Sequence, residues 1–168
     1  MPERPLWAPW RLEYIVSAKG SSCIFCAAAN GEEEHARWVV DRGDHCFTIL
    51  NIFPYAPGHI MVAPLRHTAG LEELNEEEGG EVFALARRAI GALRSAMFPD
   101  GFNVGLNLGE VAGAGIADHL HLHVVPRWEG DNNFMPVLAD TRVISQALEA
   151  TKRAVVEALT GREHSRID

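Results

Sequence analysis

The residues best suited to chemistry are three histidines at alternate positions, in the run His119-Leu120-His121-Leu122-His123-Val124-Val125. In a β-strand successive side chains point to opposite faces. All three imidazoles would then share one face, while Leu120, Leu122 and Val124 pack on the other. Clustered imidazoles repel one another when protonated, so the run costs stability that packing alone would not justify. Such a cost points to a metal site or to a site for an anionic substrate. A second pair lies near the start of the chain, Cys23-Ile24-Phe25-Cys26. Two thiols at this spacing suit half of a tetrahedral zinc site, a redox pair, or two buried thiols with no shared role.

Several elements must position these residues. Arg37–Asp41 and His45–Asn51 read as short strands joined by a turn at Arg42-Gly43-Asp44. Residues 51–58 form a loop, rich in proline and ending in glycine. His59–Pro64 reads as a third strand, with His59, Met61 and Ala63 on one face and Ile60 and Val62 on the other. Asn75 and Glu78 are spaced as a capping box at the start of a long helix. Val82, Ala86, Ala89, Leu93 and Met97 mark its buried stripe, with Phe83 and Ile90 beside them. The charge run Glu72–Glu81 reads as a solvated helix start, and Pro99-Asp100-Gly101 as its stop. A strand over Phe102–Asn107 and a glycine-rich loop over Gly109–Ile116 lead into the histidine strand, which Pro126 is expected to close. Arg142–Leu159 reads as a final amphipathic helix. Together these segments define an α+β class with about five strands.

The chain has 168 residues, a 47% hydrophobic fraction and a formal charge of −8. This suits a single domain over 1–168, with an aromatic N-terminal arm at 1–22 and a C-terminal helix and tail at 137–168. The negative charge argues against broad binding to nucleic acid or to anionic membranes. No apolar run reaches membrane-spanning length, the first residues lack the apolar core of a signal peptide, and three cysteines do not make a disulfide scaffold. A cytoplasmic protein is expected.

The His119–Val125 run resembles the signature of the histidine triad family of nucleotide hydrolases and transferases. Supporting matches are Asn51, Pro57-Gly58-His59, Pro64, Asn107 and the Gly109–Gly115 loop, so that the resemblance covers roughly residues 23–136. The opening Trp7-Ala8-Pro9-Trp10-Arg11 and the segments Val125–Trp128 and Asn133–Pro136 are similar to a bacterial branch that includes phosphorylases of diadenosine tetraphosphate. The resemblance implies a mostly antiparallel sheet with a long helix, and a homodimer.

It also implies a catalytic group of His119, His121, His123 and His59. His121 would be the nucleophile toward the α-phosphorus of a nucleotide, forming a nucleotidyl-histidine. His123 would bond a phosphate oxygen or the leaving group, and His59 would orient it. Asn107 and the backbone of Gly113, Ala114 and Gly115 would hold phosphate oxygens, and Asn51 would lie near the ribose. Bacterial members carry a structural zinc on residues matching Cys23, Cys26, His67 and His119. The substrate implied is a purine nucleotide or a dinucleoside polyphosphate.

Ala114-Gly115-Ile116 departs from the polar loop of related hydrolases, which favours phosphate over water as the acceptor. The alternatives are hydrolysis of dinucleoside tri- or tetraphosphates or of adenylate phosphoramidates, a non-catalytic nucleotide-binding protein, and a hydrolase with all three triad histidines on one ion.

Overall fold

The computed structural model describes residues 23–131 and 147–161. Its helices are α1 (Ile24–Ala29), α2 (Glu33–Ala36), α3 (Glu76–Met97) and α4 (Leu148–Leu159). The strands are β1 (Val39–Arg42), β2 (Cys46–Leu50), β3 (Ile60–Pro64), β4 (Gly101–Leu106) and β5 (Leu122–Arg127). They form one antiparallel five-stranded sheet in the order β1-β2-β3-β5-β4. The fold is α+β, as the sequence led one to expect. The expected N-terminal arm, the Asn133–Pro136 segment and the first residues of the expected final helix lie outside the described residues.

β5 sits between β3 and β4, with Leu122 paired to Val62 and Leu106, and Val124 to Ile60 and Val104. All of these but the exposed Val104 pack on the face covered by α3, where Ile60, Val62, Val124 and Leu93 are fully buried. Met61 and Gly105 pair with His123 on the opposite face. The strand begins at Leu122, later than the expected histidine strand from His119. It also runs through Pro126 to Arg127 instead of closing there. β3 pairs with β5 only as far as Val124. Pro126 therefore lies beyond the last rung on that side, where no N–H is required.

α3 starts as the capping box predicts. Asn75 accepts from the Glu78 N–H at 2.7 Å, and the Glu78 carboxylate accepts from the Asn75 N–H at 3.0 Å. The buried stripe is Val82, Leu85, Ala86, Ala89, Ala92 and Leu93, whereas Phe83 faces outward. α4 packs against α3 and β1. Gly58 has φ +76°, and a Cβ there would meet Leu93 and Met97 of α3. Only glycine lets the chain pass this close to the helix on its way into β3.

The acidic run departs from expectation, because it is not merely solvated. Arg66 grips the buried Glu78 carboxylate through Nε (2.9 Å) and Nη2 (2.8 Å). Glu73 accepts from the Thr68 hydroxyl. Glu81 accepts from the N–H groups of Asp44 (3.0 Å), His45 (2.6 Å) and Cys46 (2.6 Å), so that one carboxylate closes the β1–β2 turn onto the helix. A Cβ on Gly43 would collide with that carboxylate.

Glu81→Ala leaves three turn N–H groups without their charged acceptor. We expect it to cost about 2–3 kcal/mol, read from urea denaturation; a cost indistinguishable from zero would contradict this role. The Arg66 hydrogen bonds lead in holding the Glu78 carboxyl down at about 2. Because its folded value is depressed, Glu78 stabilises the fold above the ordinary carboxylate range and loses that contribution as pH falls toward 2. Acid titration of Glu78→Gln should show a shallower loss of stability over that window, and a curve parallel to that of the unaltered protein would refute the assignment.

Candidate functional site

The three triad histidines do lie on one side of the sheet, but each engages a different partner. The His121 Nδ1–H donates to the His119 carbonyl at 2.8 Å. Its proton is therefore on Nδ1, and the lone pair is on Nε2. Burial leads in lowering the His121 pKa, opposed by that hydrogen bond. The neutral form with a nucleophilic Nε2 is the one this environment favours.

His123 lies beside it, the two rings 4.8 Å apart and nearly perpendicular. Its Nδ1 is 2.9 Å from His59 Nε2 on the neighbouring strand. His59 Nδ1 in turn accepts from the Tyr55 N–H at 3.1 Å and faces the Asn51 side-chain amide at 3.3 Å. Asn51, His59 and His123 are thus brought into one hydrogen-bonded network, with His121 packed against it.

His119 faces the other way. Its Nδ1 lies 3.2 Å from Cys23 Sγ and 3.6 Å from Cys26 Sγ, while Cys26 Sγ is 3.2 Å from His67 Nδ1. All four donor atoms fall within 4.8 Å of one another. Zinc bonds of about 2.3 Å to sulfur and 2.0–2.1 Å to nitrogen require tetrahedral S···N edges of roughly 3.5 Å, so the set fits the ion. The His119 ring is also oriented for it, because Nε2–H donates to the Pro64 carbonyl at 2.9 Å and leaves Nδ1 as the electron-pair donor. Burial and the neighbouring Cys23 sulfur push the Cys26 thiol up to about 11. A dication at the centre would reverse that penalty by holding both sulfurs as thiolates. The alternative in which all three triad histidines share one ion does not match this arrangement, since His119 turns Nδ1 to the thiols and Nε2–H to the Pro64 carbonyl.

Phe25, inside the Cys-x-x-Cys turn on α1, joins the two halves. It is fully buried, with its ring 5.1 Å from that of His119 and 4.8 Å from that of His121, and it meets Phe47 edge-on. The sequence offered no signal for this role beyond an apolar residue between two cysteines.

Asn107 follows β4. By strand alternation it shares the histidine face with Asn103 and Gly105. Gly105, opposite His123, has open space where a side chain would stand. The glycine loop forms a single 3₁₀ turn, Glu110–Ala112, between Gly109 and Gly113. Within it Gly113 N–H donates to Glu110 O at 2.9 Å, and Ala114 N–H to Gly109 O at 3.4 Å. Two of the amides expected to meet phosphate therefore close the loop in this conformation. Among the described residues, no helix is long and apolar enough to cross a membrane.

Comparison with known proteins identifies the family. The HIT domain matches residues 32–130, and the chain belongs to that family. It is 40% identical over 156 residues to an AP-4-A phosphorylase from Mycobacterium tuberculosis, covering 88% of this chain and 80% of that protein. The fold is shared with a Zn-bound histidine triad family protein from Mycobacterium smegmatis at TM-score 0.69 and 30% identity, covering 83% of this chain and 94% of that one. A hypothetical histidine triad nucleotide-binding protein from Sulfolobus tokodaii matches at TM-score 0.69 and 27% identity, over 83% and 93% of the two chains. The kinship supports a nucleotide-processing enzyme related to cleavage of diadenosine tetraphosphate.

Replacing Phe25 with alanine removes the ring that separates the metal-type cluster from His121. We expect Phe25→Ala to lose about 3–5 kcal/mol of stability, measured by denaturant unfolding. A loss below about 1 kcal/mol would mean that the site collapses freely around the gap.

Proposed function

We propose that this protein cleaves a dinucleoside polyphosphate of the diadenosine tetraphosphate type by phosphorolysis, through a covalent nucleotidyl-His121. The observation that carries the reading is the His121 Nδ1–H bond to the His119 carbonyl, which leaves Nε2 as the nucleophile. In the first step the Nε2 lone pair attacks the α-phosphorus. A P–N bond forms, the bond from phosphorus to the bridging oxygen breaks, and the remaining nucleoside polyphosphate leaves with that electron pair. His123, two residues along on the same face, gives the leaving oxygen a proton or a hydrogen bond. The His119 carbonyl accepts from the imidazolium created by phosphorylation. In the second step an oxygen of inorganic phosphate attacks the phosphorus. The P–N pair returns to Nε2, and the product is a nucleoside diphosphate. Asn107 and the Gly109–Gly115 loop, including Gly113, Ala114 and Gly115, would hold non-bridging oxygens, with Gly115 or a rearranged turn supplying the N–H donors.

The choice of phosphate over water is supported by the apolar Ala114-Gly115-Ile116 segment and by the 40% identity to a phosphorylase. A structural zinc on Cys23, Cys26, His67 and His119 is part of the same reading, supported by the donor geometry and by the Zn-bound relative. A homodimer is supported by the position of β4 at the sheet edge, with Val104 exposed, next to an apolar pocket lined by Leu71, Phe83, Leu106 and Leu120. Cys23, Cys26 and Cys46, none of them in a disulfide, suit a reducing cytoplasm.

Incubation with diadenosine tetraphosphate should yield ADP and ATP only when inorganic phosphate is present. His121→Asn should lower that turnover by at least about 10³-fold with the fold retained. AMP formed equally well without phosphate would establish hydrolysis instead. Binding without turnover of any dinucleotide or adenylate conjugate would favour a nucleotide-binding protein. Metal analysis of purified protein should find about one zinc per chain, lost in Cys26→Ser, and chelation should lower the melting temperature. Metal-free protein of unchanged stability would remove the zinc from this account.

A further inference from the structure

Backbone donors fix the hydrogen-bond order in the loop between β2 and β3. The Phe53 backbone N–H donates to Asn51 Oδ1 at 2.9 Å. A backbone N–H can only donate, so this bond fixes the orientation of the amide and turns Asn51 Nδ2 toward His59 Nδ1, 3.3 Å away. The Tyr55 N–H donates to the same His59 nitrogen at 3.1 Å. A ring nitrogen that accepts carries no hydrogen, so the His59 proton is on Nε2. That proton points at His123 Nδ1, 2.9 Å away, which places the hydrogen of neutral His123 on its own Nε2. The Tyr55 ring stacks on His59 at 4.8 Å and 27°, limiting rotation of the imidazole. The loop itself is pinned by Asn51 N–H to His59 O at 2.9 Å and His59 N–H to Ala56 O at 3.1 Å.

We infer that Asn51 is a positioning residue that acts through His59 to set the tautomer of His123, so that His123 presents an N–H donor to the departing phosphate oxygen. This extends the resemblance, which implies only a ribose neighbour at this position, and it rests on the reading of His123 as the leaving-group partner. The order runs from the Phe53 N–H through Asn51, and from the Tyr55 N–H directly, to His59 and on to His123. Asp in place of Asn would put a second acceptor against His59 Nδ1 and draw a proton onto that nitrogen. A ribose contact, by contrast, would keep its polar partner and leave the rings unchanged.

The test uses the full chain, ¹⁵N-labelled and free of nucleotide, with the histidine ring nitrogens assigned by long-range ¹H–¹⁵N spectra. The unaltered protein should show His59 and His123 both protonated at Nε2. Asn51→Asp should shift His59 Nδ1 to the protonated range. Asn51→Ala, with only the Tyr55 N–H left, should show a mixture of the two tautomers. With diadenosine tetraphosphate and phosphate as substrates, kcat of Asn51→Asp should fall at least about tenfold while KM changes by less than about threefold. Unchanged circular dichroism spectra separate this effect from misfolding.

A His59 proton on Nδ1 in the unaltered protein would overturn the inference. So would ring shifts unmoved in both variants, with a rise in KM alone. Should the tautomers respond as expected while the unaltered protein turns over no substrate, the positioning network stands and the phosphorolysis reading falls.

Discussion

A single hydrogen bond, from His121 Nδ1 to the carbonyl of His119, decides which nitrogen of the central imidazole carries the lone pair. Much of the local structure serves to hold that carbonyl still. The His119 side chain is tied to the Pro64 carbonyl at the end of β3 and to the two thiols of α1. The next residue, Leu120, donates its N–H to Thr68 O at 2.6 Å. Phe25 fills the space between the His119 and His121 rings. The ordering of His121, the proposed nucleophile, is therefore distributed over the metal-type cluster, a strand end and an aromatic contact. This gives the four-ligand cluster a bearing on chemistry without placing it among the reacting atoms.

The other side of the strand supplies the register that makes this possible. Leu122 and Val124 are buried against β3, β4 and α3. A slip of one residue would bring the histidines to the α3-covered face and the leucines to the site, at the cost of the core. With that face fixed, the alternation of the chain delivers His119, His121 and His123 to three neighbouring but chemically different places. His119 meets sulfur, His121 meets a backbone carbonyl, and His123 meets another imidazole. Equal residues at equal spacing acquire unequal roles because the strands and helix behind them differ.

Much of this was legible in the sequence. Alternation identified the shared face of the triad and the division of β3 between core and site, and the Asn75–Glu78 spacing identified the start of α3. Cys23 and Cys26 with His67 and His119 were grouped by resemblance, and their donor atoms do converge. What escaped depended on contacts between distant segments. Glu81 lies in an acidic run that reads as solvated, because nothing local reveals three turn amides waiting across the fold. The passage of β5 through Pro126 follows from where β3 stops, which periodicity in one segment cannot encode. Phe25 looked like any apolar residue, and Asn51 gave no local sign that its amide would be locked by Phe53 and turned onto His59.

The reacting atom of His121 can be examined directly. Protein mixed with diadenosine tetraphosphate in the absence of phosphate, quenched rapidly and kept alkaline to protect the P–N bond, should carry an adenylyl group on His121. Phosphorus–nitrogen coupling in selectively labelled protein should place that group on Nε2. An adduct on His121 Nδ1, or on any other residue, would contradict the role assigned here to the His119 carbonyl.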